Sequence, residues 1–279
     1  MPHYEYITHN TSTHSHKERT DYHIMYPQYP PIATTSLYDY IYWKDYNKQI
    51  NALAALTGEQ WNFSSRTDNS ILKNYMQQTF RKLIEDKSII QTPDYTLFNT
   101  GLFTPLYEQI YVYAEKSTVH FSEWIFTGFY TEYELGNIGI HDLPPRANYF
   151  SDPSLLLFDP TYTINVQYSH ILQDETNKRR IEEIVGNTTN TISLLRGEIE
   201  MMKLKVSENY KLAVPQYFNG KIQLLLPLCL KDGITPDMAL VVSKNETGHF
   251  YQGHTCLTIE MAYNNARLIS KPYMNWLTL

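Results

Sequence analysis

The segment that most constrains the fold is the block VPQYFNGKIQLLLPLCL, which covers residues 214–230. Its Asn219-Gly220 pair separates a short aromatic segment from a run rich in Ile and Leu, and Asn-Gly between such runs is a strong signal for a β-hairpin. Residues 223–226 do not alternate apolar with polar side chains, so both faces of that strand are expected to be covered. The block therefore predicts an antiparallel hairpin inside a buried sheet.

Two more strands and a helix are predicted after this hairpin. Residues 238–242 form a second apolar run, and residues 255–257 form a third. From Thr258 the apolar residues recur at helical spacing, and a threonine at that position is a good N-cap. The side chains that leave the apolar stripe of this helix, and are expected to face solvent or a cleft, are Asn264, Asn265 and Arg267.

The rest of the chain mixes helical and strand-like patterns. Residues 71–84 show the clearest amphipathic stripe, and residues 88–91 and 95–98 then read as a hairpin closed by Asn99-Thr100-Gly101. The sequence therefore predicts an α+β fold with a mixed, mainly antiparallel sheet and packed helices. A helix followed by a small hairpin is also the end of a winged helix, so a winged-helix-like N-terminal part is the alternative for that region.

Several longer segments resemble an uncharacterised family of bacterial and fungal proteins, a domain of unknown function. They are FNTGL at residues 98–102, the block at residues 214–230, and MAYNNARLI at residues 261–269. The resemblance extends over roughly residues 36–277. It implies relatives that occur alone or joined to RNA-binding modules of the LOTUS and cold-shock types, which is an association and not a mechanism.

Length and composition limit the domain organisation that the chain can have. A chain of 279 residues with 42% hydrophobic residues can bury a sizeable core. Residues 1–33 are rich in His, Tyr and Pro and are predicted to be a disordered tail, whereas residues 34–279 are predicted to form one globular domain, with two coupled lobes (about 34–105 and 106–279) as the alternative. The pair His14 and His16 lacks supporting ligands at a recognisable spacing, so we expect no metal site and no cofactor.

Charge and cysteine usage indicate the compartment and exclude some partners. The net charge of −6 argues against a protein that coats nucleic acid by bulk charge, although a local basic groove remains compatible with it. Cys229 and Cys256 lie in apolar contexts and fit no metal spacing, which is typical of buried free thiols. No run is long enough to cross a membrane and the N-terminal segment is polar, so we expect a cytoplasmic protein with no membrane partner.

Besides Arg267, two residues stand out as candidates for catalysis. Arg146 follows two prolines in an irregular segment, and a guanidinium on a stiff loop is a good bidentate ligand for phosphate or carboxylate. An internal salt bridge to Asp152 or Asp159 explains it equally well. His170 follows a predicted strand at residues 162–168 and could act as a general acid or base, although a lone histidine is more often structural.

The common catalytic motifs are absent. The chain has no Walker A loop, no Rossmann glycine pattern, no HExxH, no paired CxxC and no GxSxG elbow. Arginines together with a histidine and amides suit a ligand with a phosphate and a base, because guanidinium binds the anion and amides read polar edges. The residues predicted to bind such a ligand beside the catalytic candidates His170, Arg146 and Arg267 are Asn99, Thr100, Gln216, Tyr263, Asn264 and Asn265.

These observations lead to three hypotheses. The first is an RNA- or nucleotide-interacting protein whose catalytic form would be a metal-independent phosphoesterase or nuclease, with His170 as acid or base and the arginines stabilising charge. The second is a non-catalytic module that binds a nucleotide or a protein. The third is a scaffold in which the same polar residues only complete the fold.

Overall fold

The computed structural model describes residues 32–63, 66–118, 122–186, 190–245, 247–273 and 276–277. The tail predicted over residues 1–33 lies outside these residues apart from its last two. The helices are α1 (Leu37–Tyr40), α2 (Tyr46–Thr57), α3 (Ser70–Glu85), α4 (Glu132–Asn137), α5 (Tyr168–Gln173), α6 (Glu175–Val185), α7 (Thr191–Glu208) and α8 (Ile259–Ala266). The strands are β1 (Ile41–Tyr42), β2 (Ile90–Gln91), β3 (Tyr95–Phe103), β4 (Gln109–Lys116), β5 (Trp124–Thr131), β6 (Thr163–Val166), β7 (Val214–Phe218), β8 (Lys221–Leu228), β9 (Met238–Asn245) and β10 (Phe250–Thr258).

The strands form two five-stranded sheets, in the orders β1-β5-β4-β3-β2 and β6-β10-β9-β8-β7. In each sheet four consecutive strands, β2 to β5 or β7 to β10, form an antiparallel meander. An earlier strand, β1 or β6, pairs in parallel with the last strand of that meander. The α+β class and the mixed, mainly antiparallel pairing predicted from the sequence are confirmed.

The two sheets also share local detail at their last strands. His254 is an extra residue in β10, between the pairs Gly253–Val242 and Thr255–Val241. Thr127 occupies the same place in β5, where the register shifts opposite the pair Tyr113/Ala114. Each of these bulged residues lies four positions before a threonine that ends the strand and caps the next helix, namely Thr131 and Thr258. The second half of the chain thus repeats the topology of the first.

The sheets share one apolar core. The largest cluster of buried side chains combines α3 and the first sheet with Leu225 and Val241 of the second sheet and Ala262 of α8. The opposite face of the second sheet packs against α6 and α7 through Leu226, Leu240 and their neighbours. The alternative division near residue 105 falls between β3 and β4, which are neighbours in the first sheet.

The C-terminal predictions agree closely with the structure. β7 and β8 pair as an antiparallel hairpin, with Phe218 opposite Lys221 across the Asn219-Gly220 turn. The side chain of Thr258 accepts a hydrogen bond from the backbone N–H of Met261 and caps α8.

Two predictions about the N-terminal half need correction. Asn99-Thr100-Gly101 does not close a hairpin, because β3 continues through it to Phe103 and the register shifts there. Residues that favour turns serve equally well at a β-bulge inside a strand. The hairpin after α3 is the edge of a five-stranded sheet, since β3 also pairs with β4, and is therefore not the wing of a winged helix.

Candidate functional site

The candidate site begins where α2 ends. Gly58 is the C-cap of α2 and has a left-handed backbone (φ +60°), which glycine adopts without steric cost. The turn places Glu59 directly after the helix, and the indole Nε1 of Trp61 donates to the hydroxyl of Thr57 at 2.8 Å. Glu59 and Trp61 are thereby held next to the C-terminal end of α8.

Arg267 extends from that end of α8 into a buried ion pair. Its Nη2 donates to the Oε1 and Oε2 atoms of Glu59 at 3.2 and 3.1 Å. The guanidinium also lies 4.7 Å from the ring centre of Trp61 and 5.0 Å from that of Tyr75, which are cation–π distances. Arg267 is only 7% exposed, so its charge is compensated mainly by these groups inside the protein.

Tyr75, on the buried face of α3, joins this cluster to the first sheet. A Cβ atom at Gly101 would lie 2.6 Å from the Tyr75 hydroxyl, and Gly101 has φ +75°. Only glycine fits there, because both the backbone angle and the close approach exclude a side chain. Burial raises the pKa of Tyr75, with the Arg267 charge acting in the opposite direction, so its hydroxyl stays protonated at neutral pH.

A groove of about 410 Å³, which we call the central groove, opens beside this cluster. It lies between the end of α2, β3 with the loop that follows it, the 144–150 loop and the end of α8. Three basic side chains and one acidic side chain line it: Arg146, Arg267, Lys271 and Glu59. Two tyrosines with largely exposed side chains also line it, Tyr107 at 85% and Tyr273 at 83% exposure.

The 144–150 loop that carries Arg146 is anchored on both sides. Nδ2 of Asn99 donates to the carbonyl of Pro144 at 3.4 Å. Further along the loop, the backbone N–H of Asn148 donates to Oδ2 of Asp86 at 3.0 Å. These contacts fix the backbone around Arg146, so its position at the groove follows from the fold and does not require a ligand.

The Arg146 side chain itself is exposed and lies 5.0 Å from the ring centre of Phe103. Among the described residues it forms no ion pair, and the carboxylates proposed as its internal partners are bonded elsewhere: Asp152 to Ser154 and Asp159 to Thr161. The salt-bridge interpretation of Arg146 is therefore wrong. A guanidinium stacked on a ring but without a carboxylate keeps its donors free for an anion.

A second cavity, of about 340 Å³, continues from the central groove, and we call it the side cleft. Tyr75, Gly101 and Arg146 line both spaces. The side cleft also reaches Tyr149 and Phe150. Arg146 thus stands where the two spaces meet and can contact a ligand in either.

Two of the predicted ligand-binding residues have structural roles. Asn99 is 1% exposed; its Nδ2 donates to Oε1 of Gln109 at 2.8 Å and its Oδ1 accepts from the backbone N–H of Gly101. Thr100 is fully buried and donates to the carbonyl of Ile110 at 2.7 Å. The bonds to Gly101 and Ile110 satisfy backbone groups at the bulge in β3. The two side chains therefore support the groove and do not line it.

The other predicted ligand-binding residues lie around α8 and β7, away from the central groove. Gln216 is buried and accepts from Nδ2 of Asn265 at 3.1 Å. Tyr263 is buried and packs edge-on against Phe63, and burial raises its pKa. Asn264 and Asn265 line a separate cavity of about 340 Å³, and Oδ1 of Asn264 is buried there without a hydrogen-bond partner in the described part of the chain.

The structure brings Arg146 and Arg267 together and places His170 elsewhere. His170 is exposed on α5, which packs against α6, α7 and β10 on the far side of the second sheet. It lines neither the central groove nor the side cleft. Its predicted role as acid or base stays a prediction.

Sequence reasoning missed Glu59, Tyr75 and Lys271 as members of the site. The Glu59–Arg267 pair spans 208 residues, and no local pattern signals a contact of that range. A local signal did exist for Gly58, because a glycine just past a helical stripe commonly adopts a left-handed cap. It marked the turn but not the carboxylate that the turn positions.

Two classes of site are not found in the part of the chain that the structure describes. No three His, Cys, Asp or Glu side chains lie close enough together to hold a metal ion. No described helix combines the length and apolarity needed to span a membrane.

A family model described as "Domain of unknown function (DUF3825)" matches residues 53–276. Neither the curated proteins nor the solved structures contain a significant match.

Proposed function

Because the chain belongs to the DUF3825 family, whose description names no reaction, we propose its function from the central groove: the protein binds a nucleotide or a segment of RNA there. The observation that carries this proposal is that Arg146 and Lys271 line the same groove as the exposed rings of Tyr107 and Tyr273. A volume of about 410 Å³ is within the usual range for a small-molecule site.

The basic side chains supply the anion-binding part of the site. Arg146 forms no ion pair among the described residues. Lys271 lies 3.9 Å from Oε2 of Glu59, a long separation for an ion pair, and its side chain is 43% exposed. Arg267 lies at the floor of the groove, where its Nη2 donates to Glu59. Phosphate is the natural ligand for such a set, because guanidinium binds two of its oxygens and each added cation raises the local potential.

The tyrosines supply the part that recognises a base. An exposed aromatic ring costs hydration and gains little unless a flat partner stacks on it, and each stacked base contributes about 1–3 kcal/mol in nucleic-acid complexes. Tyr107 also has φ +63°, a backbone conformation that is uncommon outside glycine and is found more often at functional loops. The ring is thus held outward by a strained turn.

Binding without turnover is the form that the geometry favours. The catalytic form requires His170 as acid or base, and His170 does not line the groove. Turnover of a phosphate ester or phosphodiester stays a proposal that depends on that residue. Relatives joined to LOTUS-type and cold-shock RNA-binding modules, which the resemblance implies, agree with the same ligand class in either form.

Calorimetric titration of the purified chain with AMP and with short single-stranded RNA tests the proposal. Arg146→Met should weaken binding by about 10- to 100-fold, the loss expected for a hydrogen-bonded charge. Arg81→Met is the matched control, because Arg81 is an exposed arginine on α3 that lines neither space. Equal affinities for wild type and Arg146→Met, or no binding of either ligand, would contradict the proposal and favour a protein-binding scaffold.

His170→Gln separates the catalytic and binding forms. In an enzyme this variant should lose turnover and keep its affinity for the ligand. A pure binding module should show the same affinity and no turnover with either protein.

A further inference from the structure

A third cavity lies beside the β7–β8 turn and the C-terminal end of β9, and it is the largest of those described, at about 570 Å³. We call it the strand-face cavity. The described residues that line it include Lys221, Lys244 and His254 and no acidic side chain. It therefore concentrates basic groups on a protein whose net charge is −6.

The two lysines of this cavity differ in how strongly their charges interact with other groups of the protein. Lys244 lies 5.1 Å from the ring centre of Tyr162, and it adds to the lowering of the carboxyl pKa of Asp152, which the hydrogen bonds from Ser154 dominate. Lys221 is exposed and forms no ion pair among the described residues. Lys221 is thus the cation with the clearest capacity for an external anion.

A relay of hydrogen bonds crosses the sheet and ends in the cavity. Asn265 donates to Gln216, Gln216 to Oε1 of Gln223 at 2.9 Å, and Gln223 to the Ser243 hydroxyl at 3.2 Å. The Ser243 oxygen lies 2.8 Å from Nε2 of His254. Since Ser243 already accepts from Gln223, its own proton is available to the imidazole, and the relay holds His254 in one orientation at the bulge of β10.

The imidazole is neutral at pH 7 in the free protein. Burial lowers the pKa of His254, and the charge of Lys221 lowers it further. A bound anion would oppose both effects, so the histidine can become a second charged contact once a ligand is present.

The strand-face cavity adjoins the side cleft, which in turn adjoins the central groove. Tyr149 and Phe150 line both it and the side cleft, and Arg146 lines both the side cleft and the central groove. Lys271, Arg146 and Lys221 therefore line neighbouring cavities, and Tyr149 and Phe150 line the wall shared by the last two cavities. Alternating cations and rings along a groove are typical of surfaces that bind single-stranded nucleic acid.

We infer that the strand-face cavity is a second phosphate site, formed by Lys221 and His254, and that the ligand is a single-stranded oligonucleotide that extends from the central groove past Tyr149 and Phe150. The inference rests on the proposed function, because it takes the central groove as the site of the first nucleotide. It goes further by choosing between the two ligands of that proposal, an oligonucleotide rather than a mononucleotide, and by adding a second site for it.

Titrations with AMP and with single-stranded RNA of increasing length test the inference. Affinity for RNA should rise with length until the strand reaches both sites and should then level off. Lys221→Met should weaken binding of the longer RNA about tenfold and leave AMP binding unchanged. It should also reduce the slope of log K against log salt concentration by about 0.7, the value for one lost phosphate contact on a single strand.

Lys231→Met is the control for the loss of an exposed lysine. Lys231 lies in the loop between β8 and β9 and lines none of the three spaces. His254→Gln keeps a polar group near Ser243 but cannot become charged, so it should weaken long RNA and leave AMP unaffected. If Lys221→Met perturbs folding, His254→Gln still tests the second site.

The failures of the two proposals are distinguishable. AMP binding that needs Arg146, together with RNA affinity that is independent of length or of Lys221 and His254, would overturn the second site and leave the proposed function intact. No binding of AMP or RNA of any length would overturn both.

Discussion

Nη2 of Arg267 lies 3.2 and 3.1 Å from the two carboxylate oxygens of Glu59, 208 residues earlier in the chain. The pair ties the end of α8, in the second half of the chain, to the end of α2, in the first. It also forms the floor of the central groove, so stability and ligand binding depend on the same contact.

Removing that cation should therefore destabilise the protein. Arg267→Met leaves the Glu59 carboxylate, 17% exposed, without its principal partner, and we expect a loss of about 3 kcal/mol in the free energy of unfolding. Guanidinium titration followed by circular dichroism measures it. Arg66→Met is the control, because its pair with Glu260 is 52% and 37% exposed and should be worth less than about 1 kcal/mol. Similar losses in the two variants would show that the Arg267 pair is not a special contact.

Gly101 and Tyr75 give a prediction about packing. Gly101→Ala places a methyl group 2.6 Å from the Tyr75 hydroxyl, so it should cost about 1–3 kcal/mol in overpacking beyond the cost of the left-handed backbone. Gly139→Ala measures that backbone cost alone, since Gly139 has φ +82° and no atom within 4 Å of the added Cβ.

A double variant shows whether the hydroxyl causes the loss. Tyr75→Phe combined with Gly101→Ala removes the closest atom and should recover part of the stability, giving a coupling energy of at least about 0.5 kcal/mol in chemical denaturation. Strictly additive effects would mean that the backbone at Gly101, and not the contact with Tyr75, excludes alanine.

The exposed tyrosines of the central groove should matter for the base and not for the phosphate. Tyr107→Ala and Tyr273→Ala should each weaken AMP binding by up to about 1–3 kcal/mol, the range for one stacked base. Their affinity for ribose 5-phosphate, which has no base, should not change. Tyr133→Ala is the control, since Tyr133 is 72% exposed on α4 and lines none of the spaces. Equal losses for both ligands would argue that the rings only shape the groove.

Alkaline pH should destabilise the protein through Cys256. Burial raises the pKa of this thiol from 9.0 to about 12. The unfolded chain loses the proton from pH 9 upwards whereas the folded protein keeps it, so this stabilisation is complete below pH 9 and is lost between pH 9 and 12. The contribution falls by up to about 1.4 kcal/mol per pH unit.

Urea denaturation between pH 7 and 11 tests this dependence. Cys256→Ala should be less stable than wild type at pH 7 because it leaves a small cavity, but its stability should decline less steeply above pH 9. Tyrosines whose pKa burial also raises, such as Tyr46 and Tyr113 (each to about 12), remain in both proteins and give the residual slope. Parallel curves for the two proteins would contradict a buried, protonated thiol.

Local chemistry explains which parts of the fold could be predicted. The Asn219-Gly220 hairpin and the Thr258 cap each depend on residues within four positions of one another, and both are found as expected. Asn99-Thr100-Gly101 has the composition of a turn, yet the side-chain bonds of Asn99 and Thr100 stabilise a bulge inside β3. Composition alone does not distinguish these two uses of the same residues.

The candidate site was predicted only in part because it is assembled over long distances. Arg146 was identified from the two prolines before it, which is a local signal. The Glu59 carboxylate pairs with Arg267, and the Tyr75 ring lies beside the same guanidinium. These two residues come from separate elements. Their convergence depends on how the two sheets pack around α3, and no segment of the sequence encodes that packing by itself.

The repeated topology of the two sheets sets the order in which each can be completed. The first strand of each half has its partner far along the chain: Ile41 pairs with Trp124, and Thr163 with Phe250. Closing such long segments is slow, because the chain loses entropy before these pairs can form. During synthesis β1 and β6 each emerge long before their partners, so a ribosome stalled before β10 would carry a nascent chain in which β6 has no neighbour.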